Sequence, residues 1–230
     1  ITVDGKIAFT GGINLADEYA NLTSPYGYWK DTGVVICGSA AKIFEGMFLS
    51  MWFGKYEMKS PKAAVNEKFH CLPFYDSPPK RAFCEDAFVS EICRTQTRVH
   101  IMTPYFCLSD KMLSALTFTA RRGVDVKVII PHVPDKKYAF AVSKAFAHLA
   151  AHSGVKVYEY TPGFMHAKAV ICDDNVFLGS YNFDFRSTHF NYECGVIFGK
   201  EICETVEKDF AECLALSKET ALGKNADKKS

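Results

Sequence analysis

Met165-His166-Ala167-Lys168-Ala169-Val170-Ile171-Cys172-Asp173-Asp174-Asn175-Val176-Phe177-Leu178-Gly179-Ser180-Tyr181-Asn182 is the stretch from which the rest of the chain can be read. Lys168 follows His166 at i+2, and in an extended chain residues i and i+2 project from the same face. An imidazole and an ammonium therefore point the same way. That pair suits the grip of a phosphodiester: the ammonium neutralises the non-bridging oxygens while the imidazole attacks phosphorus or passes a proton. The Asn182 amide can donate to the same oxygens, and small Gly179 and Ser180 let the backbone come close. Asp173, Asp174 and Asn175 are hairpin-turn residues between two apolar runs, so Asp173 is read as bracing the turn. Glu193, opening the apolar run that ends at Phe198, is expected to hydrogen-bond the far ring nitrogen of His166 and fix its tautomer.

An isolated H-x-K says little in a chain with 7 histidines. An internal repeat gives it weight. Near the N-terminus, Asp4-Gly5-Lys6-Ile7-Ala8-Phe9-Thr10-Gly11-Gly12-Ile13-Asn14 repeats the later hairpin: turn acid, apolar strand, small pair, one residue, Asn. Further on, Asp31-Thr32-Gly33-Val34-Val35-Ile36-Cys37-Gly38 parallels Glu193-Cys194-Gly195-Val196-Ile197-Phe198-Gly199. Two copies of one supersecondary unit are thus visible in the chain itself.

With these motifs in view, the sequence resembles the phospholipase D superfamily, whose members join two H-x-K-x4-D half-sites across a pseudo-twofold axis. More narrowly, DGKIAFTGGINLADEY from Asp4, Thr103-Pro104-Tyr105-Phe106, RRGVDVKVIIP from Arg121, GVKVYEYTPGFMHAK from Gly154, GSYNFDFRS from Gly179 and FNYE from Phe190 are similar to bacterial cardiolipin synthases. The resemblance extends to about Leu216. It implies an α/β, phospholipase D-like fold with mixed, largely parallel sheets flanked by helices. Two pseudo-twofold-related halves are implied, the first incomplete because its own H-x-K would fall before Ile1.

The resemblance also implies an activity: a phosphatidyl group passes from one phosphatidylglycerol to another through a phosphohistidine, with release of glycerol and without metal or other cofactor. The alternatives are a phospholipase D-type hydrolase, a phosphatidylserine synthase, or a non-catalytic phosphate- or lipid-binding module. Residue by residue, the carry-over makes His166 the acid/base within a catalytic set of His166, Lys168, Asp173 and Glu193. Ser180 and Asn182, with Gly12 and Asn14 from the first copy, become substrate-binding residues. Asp31 and Asp4 go to the truncated half-site, Asp31 orienting its absent histidine. Implied partners are phosphatidylglycerol and a membrane surface but no nucleic acid, with pairing of two chains across a twofold as another route to a complete site. The implied location is the bacterial cell membrane, catalytic part on the cytoplasmic side and membrane span outside this chain. The 230-residue chain alone is expected to be inactive or nearly so.

Composition sets bounds on these readings. With 48% hydrophobic and 23% charged residues, the chain can bury a core and fits one large or two small globular units. A net charge of +1 provides no global field to collect nucleic acid. The 9 cysteines include no C-x2-C pair and cannot all pair within the chain, and several sit in apolar runs as small hydrophobes, pointing to a reducing environment and away from structural zinc. No run of about 18 uncharged apolar residues is present.

Taken in order, residues 1–72 read as the C-terminal part of the first half. They include a fully buried strand from Val34 to Cys37 and a helix from Ala40 to Lys59, whose stripe of Ile43, Phe44, Met47, Phe48, Met51 and Trp52 is read as a core face. Residues 73–80, with Pro73, Pro78 and Pro79, read as a linker. Residues 81–217 read as the second half: helix 85–95, strand 98–103, a helix from N-cap Ser109 to Arg122 stopped by Gly123, strand 124–130, helix 136–152, strand 155–160, the His166 hairpin, and an amphipathic helix from Lys200. Residues 218–230 read as a mobile tail.

Overall fold

The structure is a computed structural model, and it describes residues 1–54, 70–76 and 83–220. In chain order its elements are β1 (Thr2–Val3), β2 (Ile7–Gly11), β3 (Tyr28–Lys30), β4 (Gly33–Cys37), α1 (Ala41–Phe53), β5 (Cys71–Asp76) and α2 (Phe83–Arg94), followed by β6 (Arg98–Met102), α3 (Asp110–Arg121), β7 (Asp125–Pro131), α4 (Lys137–Ala151), β8 (Lys156–Tyr160), β9 (Gly163–Met165), β10 (Ala169–Cys172), β11 (Asn175–Gly179), α5 (Phe185–His189), β12 (Glu193–Phe198), α6 (Lys200–Ala215) and β13 (Ser217–Glu219).

An eight-stranded mixed sheet, ordered β13-β8-β7-β6-β10-β11-β12-β5, carries the architecture. Within this sheet parallel order is confined to β6-β7-β8, where the apolar strands alternate with α3 and α4 and need crossovers. Every other pairing in this sheet is antiparallel, because the His166 region returns by hairpins. The parallel share is therefore smaller than the sequence led us to expect. A separate three-stranded sheet, β1-β2-β4, repeats the β10-β11-β12 arrangement: Gly11 pairs with Gly33 as Gly179 pairs with Gly195. The turn residues match as well, Asp4 at φ 50° and Asp173 at φ 51°.

Two cores lie on the two faces of the large sheet. One packs α2, α3 and α4 against it through Phe88, Ile92, Leu116 and Val128. The other joins its opposite face to α6 and to the small sheet, with Ala8, Ile36, Phe44, Met165, Val196 and Phe210 in one cluster. Each fully buried large apolar side chain contributes about 1.5–3 kcal/mol. The small sheet thus docks face to face on β11 and β12, and this docking assembles the site described below.

Several sequence expectations are corrected. β4 is buried on one face only: Ile36 is inward, on the side docked against β11, while Val35 on the other side is 57% exposed among the described residues. On α1, Phe44 and Met47 are buried but Phe48, Met51 and Trp52 are exposed, so the core face is narrower than the stripe; residues 55–59 lie outside the described residues. Pro73 belongs not to a linker but to β5, the edge strand on β12, a position where a missing N–H is tolerated. The chain after α6 turns into β13, which pairs with β8; the rest of the expected tail, from 221, lies outside the described residues. Among the described residues no helix is long and apolar enough to cross a membrane.

Candidate active site

His166 and Lys168 lie in the extended link between β9 and β10. β9 pairs in parallel with β3, Lys30 opposite Met165, and the His166 N–H donates to the Lys30 carbonyl at 2.7 Å. The approach of the two strands requires Gly163, since a Cβ there would meet the Tyr28 backbone at 2.3 Å. Asn21 fixes the other side of β3 by bonding both the N–H and the carbonyl of Trp29, at 2.7 and 3.0 Å. The next residue of each strand is then brought into contact: His166 Nδ1 lies 2.7 Å from Asp31 Oδ2. An ionised carboxylate only accepts, so Nδ1 carries the proton and Nε2 is left with its lone pair.

This overturns the expected partnership. Glu193 does not bond His166, and Asp31 is not reserved for an absent histidine. The first copy's acid serves the second copy's imidazole, because the two small-residue hairpins dock face to face and Asp31 projects across the junction. Glu193 is held in a different cup: Ser180 Oγ donates to its Oε2, while Ser187 Oγ and Asn191 Nδ2 donate to its Oε1 at 2.7 and 3.0 Å. No sequence signal singled out Ser187 or Asn191 beforehand.

His166 is walled by Trp29, Tyr19 and Phe164, with ring centroids 4.9, 5.2 and 5.9 Å away. Burial in this box pulls its pKa below the ordinary imidazole value, against the opposing pull of Asp31. Lys168 Nζ is 2.9 and 3.0 Å from the two ring nitrogens, a position that cannot lie in the ring plane without striking the carbon between them. The ammonium therefore sits over the ring face, and its bond is to the His166 carbonyl at 2.6 Å. Burial brings its pKa down to about 7, against the opposing charge of Asp31.

A polar pocket of about 450 Å³ opens over these groups, lined among others by Gly12, Asn14, His166, Lys168, Ser180, Asn182 and Glu193. Most of the residues selected from sequence thus converge. Gly12 has no room for a side chain: a Cβ would stand 2.2 Å from Asp31 Oδ1 and 2.9 Å from Lys168 Nζ. Among the described residues the buried Asn182 Oδ1 has no hydrogen-bond partner. Among the described residues His166 is the one histidine lining the pocket, and no group of His, Cys, Asp and Glu is arranged to hold a metal.

Asp173 and Asp4 stand outside this pocket. Asp173 accepts from the N–H groups of Gln96, Thr97 and Arg98, and from Thr97 Oγ1, at 2.5–3.1 Å. It ties the β10–β11 turn to the start of β6, which sets it apart from the catalytic set in which the resemblance placed it. Asp4 is exposed in the β1–β2 turn. His100 is also remote from the pocket: buried, it stacks on Phe210 at 4.5 Å and contacts Glu207 and Asp125. Asp184 caps α5 by accepting from the Ser187 N–H at 2.8 Å.

With this geometry in hand, similar proteins can be placed beside the chain. An uncharacterised protein of Streptococcus mutans is 40% identical over 228 residues, covering 95% of this chain and 50% of its own length. A cardiolipin synthase of Alkalihalophilus pseudofirmus is 34% identical over 203 residues, covering 84% of this chain and 40% of its own length. The chain thus spans about half the length of these relatives or less. Among solved structures, a phosphatidylserine synthase of Haemophilus influenzae superposes with a TM-score of 0.72 at 14% identity, over 95% of this chain and 62% of the other. That likeness speaks to the fold alone. The family profile described as "Cardiolipin synthase, PLD-like domain" matches residues 88–214, the span that contains His166, Lys168, Asn182 and Glu193, and the chain is a member of that family.

Proposed function

We propose that this chain carries one half-site of a phosphatidyltransferase that moves a phosphatidyl group from one phosphatidylglycerol to another and releases glycerol. The observation that carries the reading is the His166 imidazole, its Nδ1 proton held by Asp31 and its ring beside Lys168 in a pocket lined by Asn182. In this scheme a second imidazole attacks phosphorus, and protonated His166 gives its Nε2 proton to the departing glycerol oxygen. Neutral His166 then takes the proton of the incoming hydroxyl as that oxygen attacks the phosphohistidine, which restores both rings. Lys168 and the Asn182 amide stabilise the negative charge on the non-bridging oxygens. General acid–base assistance contributes roughly 10² to 10⁴ in rate.

Glu193 in its cup of Ser180, Ser187 and Asn191 stands to the second imidazole as Asp31 stands to His166. That ring belongs to a second H-x-K segment, which this sequence does not contain. Residues 1–72 and 81–217 are accordingly read as parts of two half-units, acting at the cytoplasmic face of a membrane. The test is turnover of phosphatidylglycerol vesicles by the isolated chain and by a chain extended upstream to include an H-x-K. The isolated chain should be inactive and the extended one active, losing that activity on His166→Ala but not on His189→Ala. Cardiolipin formation by the isolated chain that survives His166→Ala would refute the reading, and release of phosphatidic acid instead of cardiolipin would favour a hydrolase.

A further inference from the structure

The core uses only part of the apolar stripe on α1. Phe44 and Met47 are buried in the cluster that joins the two sheets. Among the described residues Phe48 and Met51 stay half-exposed and Trp52 is exposed, stacked on Phe48 at 5.8 Å. Large apolar side chains grouped in water mark a surface that meets something else. These border a cavity of about 140 Å³ where α1 and β2 face β5 and β12, lined by Phe9, Phe44, Met47, Phe48, Met51 and Tyr75. The cavity adjoins the pocket over His166 and Lys168, because Tyr192 and Glu193 line both. From one compartment to the next, ammonium and amide groups give way to phenyl and thioether groups.

The two acids at the cavity are already engaged. Asp76 caps the start of α2, its Oδ1 accepting from the Phe83 N–H and its Oδ2 from the Cys84 N–H, each at 3.0 Å. Glu193 is held in its cup by Ser180, Ser187 and Asn191, and Cys194 Sγ contacts Thr10 Oγ1 at 3.4 Å. The remaining wall is mainly apolar. A packing defect inside a core would be closed on every side, whereas the half-exposed Phe9, Phe48 and Met51 leave this cavity open to solvent.

We infer that this cavity is a subsite for the apolar tail of an amphiphilic phosphate ester, receiving the first part of an acyl chain while the phosphate rests at His166 and Lys168. The inference rests on the phosphatidyl-transfer reading and deepens it. Continuity selects the occupant: an ester that reaches past Tyr192 and Glu193 brings its substituent into the apolar compartment. Methylenes beyond the cavity continue over Met51 and Trp52 along α1. Phe48 and Met51 hold the tail and take no part in the chemistry.

The test titrates the folded chain with methyl, butyl and hexyl phosphate, monoesters of equal charge, by calorimetry. Each methylene that leaves water should tighten binding about fourfold, so hexyl phosphate, with half its added methylenes inside, should bind about thirtyfold more tightly than methyl phosphate. Met51→Gln and Phe48→Gln should each cut that ratio at least about threefold and leave methyl phosphate binding unchanged, which certifies the fold. Phe118→Gln, at an exposed position on α3, should keep the full ratio. Methyl phosphate binding with no gain along the series, with a gain that both α1 variants keep, or with one that Phe118→Gln lowers as much, overturns the subsite and leaves the phosphate pocket standing. Ile1 and Thr2 stand at the edge of the cavity, so the series is repeated on a chain extended upstream; a gain lost there assigns the cavity to protein and overturns the subsite. Failure of wild type to bind methyl phosphate at all overturns the pocket reading, and the subsite with it.

Discussion

Asp31→Asn separates two wirings of the site that differ only in which acid holds His166. In the structure Asp31 Oδ2 receives the Nδ1 proton at 2.7 Å, with the Asp31 side chain 5% exposed. A hydrogen bond to a charged acceptor in such a setting is worth about 1.5–3 kcal/mol, and one pKa unit corresponds to about 1.4 kcal/mol. Replacing the carboxylate by an amide removes the one strong influence that raises the His166 pKa, leaving burial and Lys168, which both lower it. The His166 pKa, already held down by burial, should fall further. Its tautomer should also cease to be fixed, since an amide can either accept from Nδ1 or donate to it. Imidazole nitrogen NMR of the isolated chain reads both quantities and needs no turnover: wild type should show the Nδ1-protonated form, Asp31→Asn a mixture, and Glu193→Gln the wild-type pattern. In an active, upstream-extended chain Asp31→Asn should reduce turnover by about 10² to 10⁴. A His166 tautomer and pKa that respond to Glu193→Gln and ignore Asp31→Asn would refute the crossed arrangement.

Two further outcomes follow from the same geometry. Lys168 has a pKa of about 7, so its charge is present below that pH and lost above it; the affinity of the chain for dimethyl phosphate, which does not titrate here, should weaken as pH rises through 7, by up to about tenfold per unit, and binding above 7 should take up a proton. Calorimetry in buffers of different ionisation enthalpy measures that uptake, and pH-independent affinity would contradict it. Asp173→Ala removes the acceptor shared by four donors of residues 96–98, and should destabilise the chain by about 1–3 kcal/mol, or about 2–4 °C in Tm per kcal/mol, with methyl phosphate affinity unchanged; a loss of affinity at unchanged Tm would instead make Asp173 part of the pocket.

Much of this molecule could be read from residue order because its information is local. The i, i+2 spacing of His166 and Lys168, the turn acids Asp4 and Asp173, the small pairs Gly11-Gly12 and Gly179-Ser180, and the Ser109 cap each need only a few neighbours. Ser109 Oγ does accept from the Met112 N–H at 3.1 Å. What was misread depends on contacts between distant segments. Asp31 and Glu193 occupy equivalent places in two copies of one motif, and nothing in the order of residues says which acid meets which ring; the docking of the small sheet on β11 and β12 decides it. The same holds for Val35, apolar by sequence and exposed because only one face of its sheet is covered. Pro73 looked like punctuation, and only the edge position on β12 makes it a strand residue. The cup of Ser187 and Asn191 around Glu193 escaped notice because a hydroxyl inside a short helix and an amide just past its end have ordinary capping explanations.

The crossed link between Asp31 and His166 has a bearing on how such a protein could be cut, spliced or inherited. The first structural copy lends its carboxylate to the imidazole of the second, so the His166 couple exists only while the two are docked. A duplicated gene whose two products drifted apart in docking geometry would lose proton transfer before losing stability. Chimaeras that keep a matched junction could exchange outer helices freely. Chemistry here is a property of the seam, and selection on activity acts as selection on alignment.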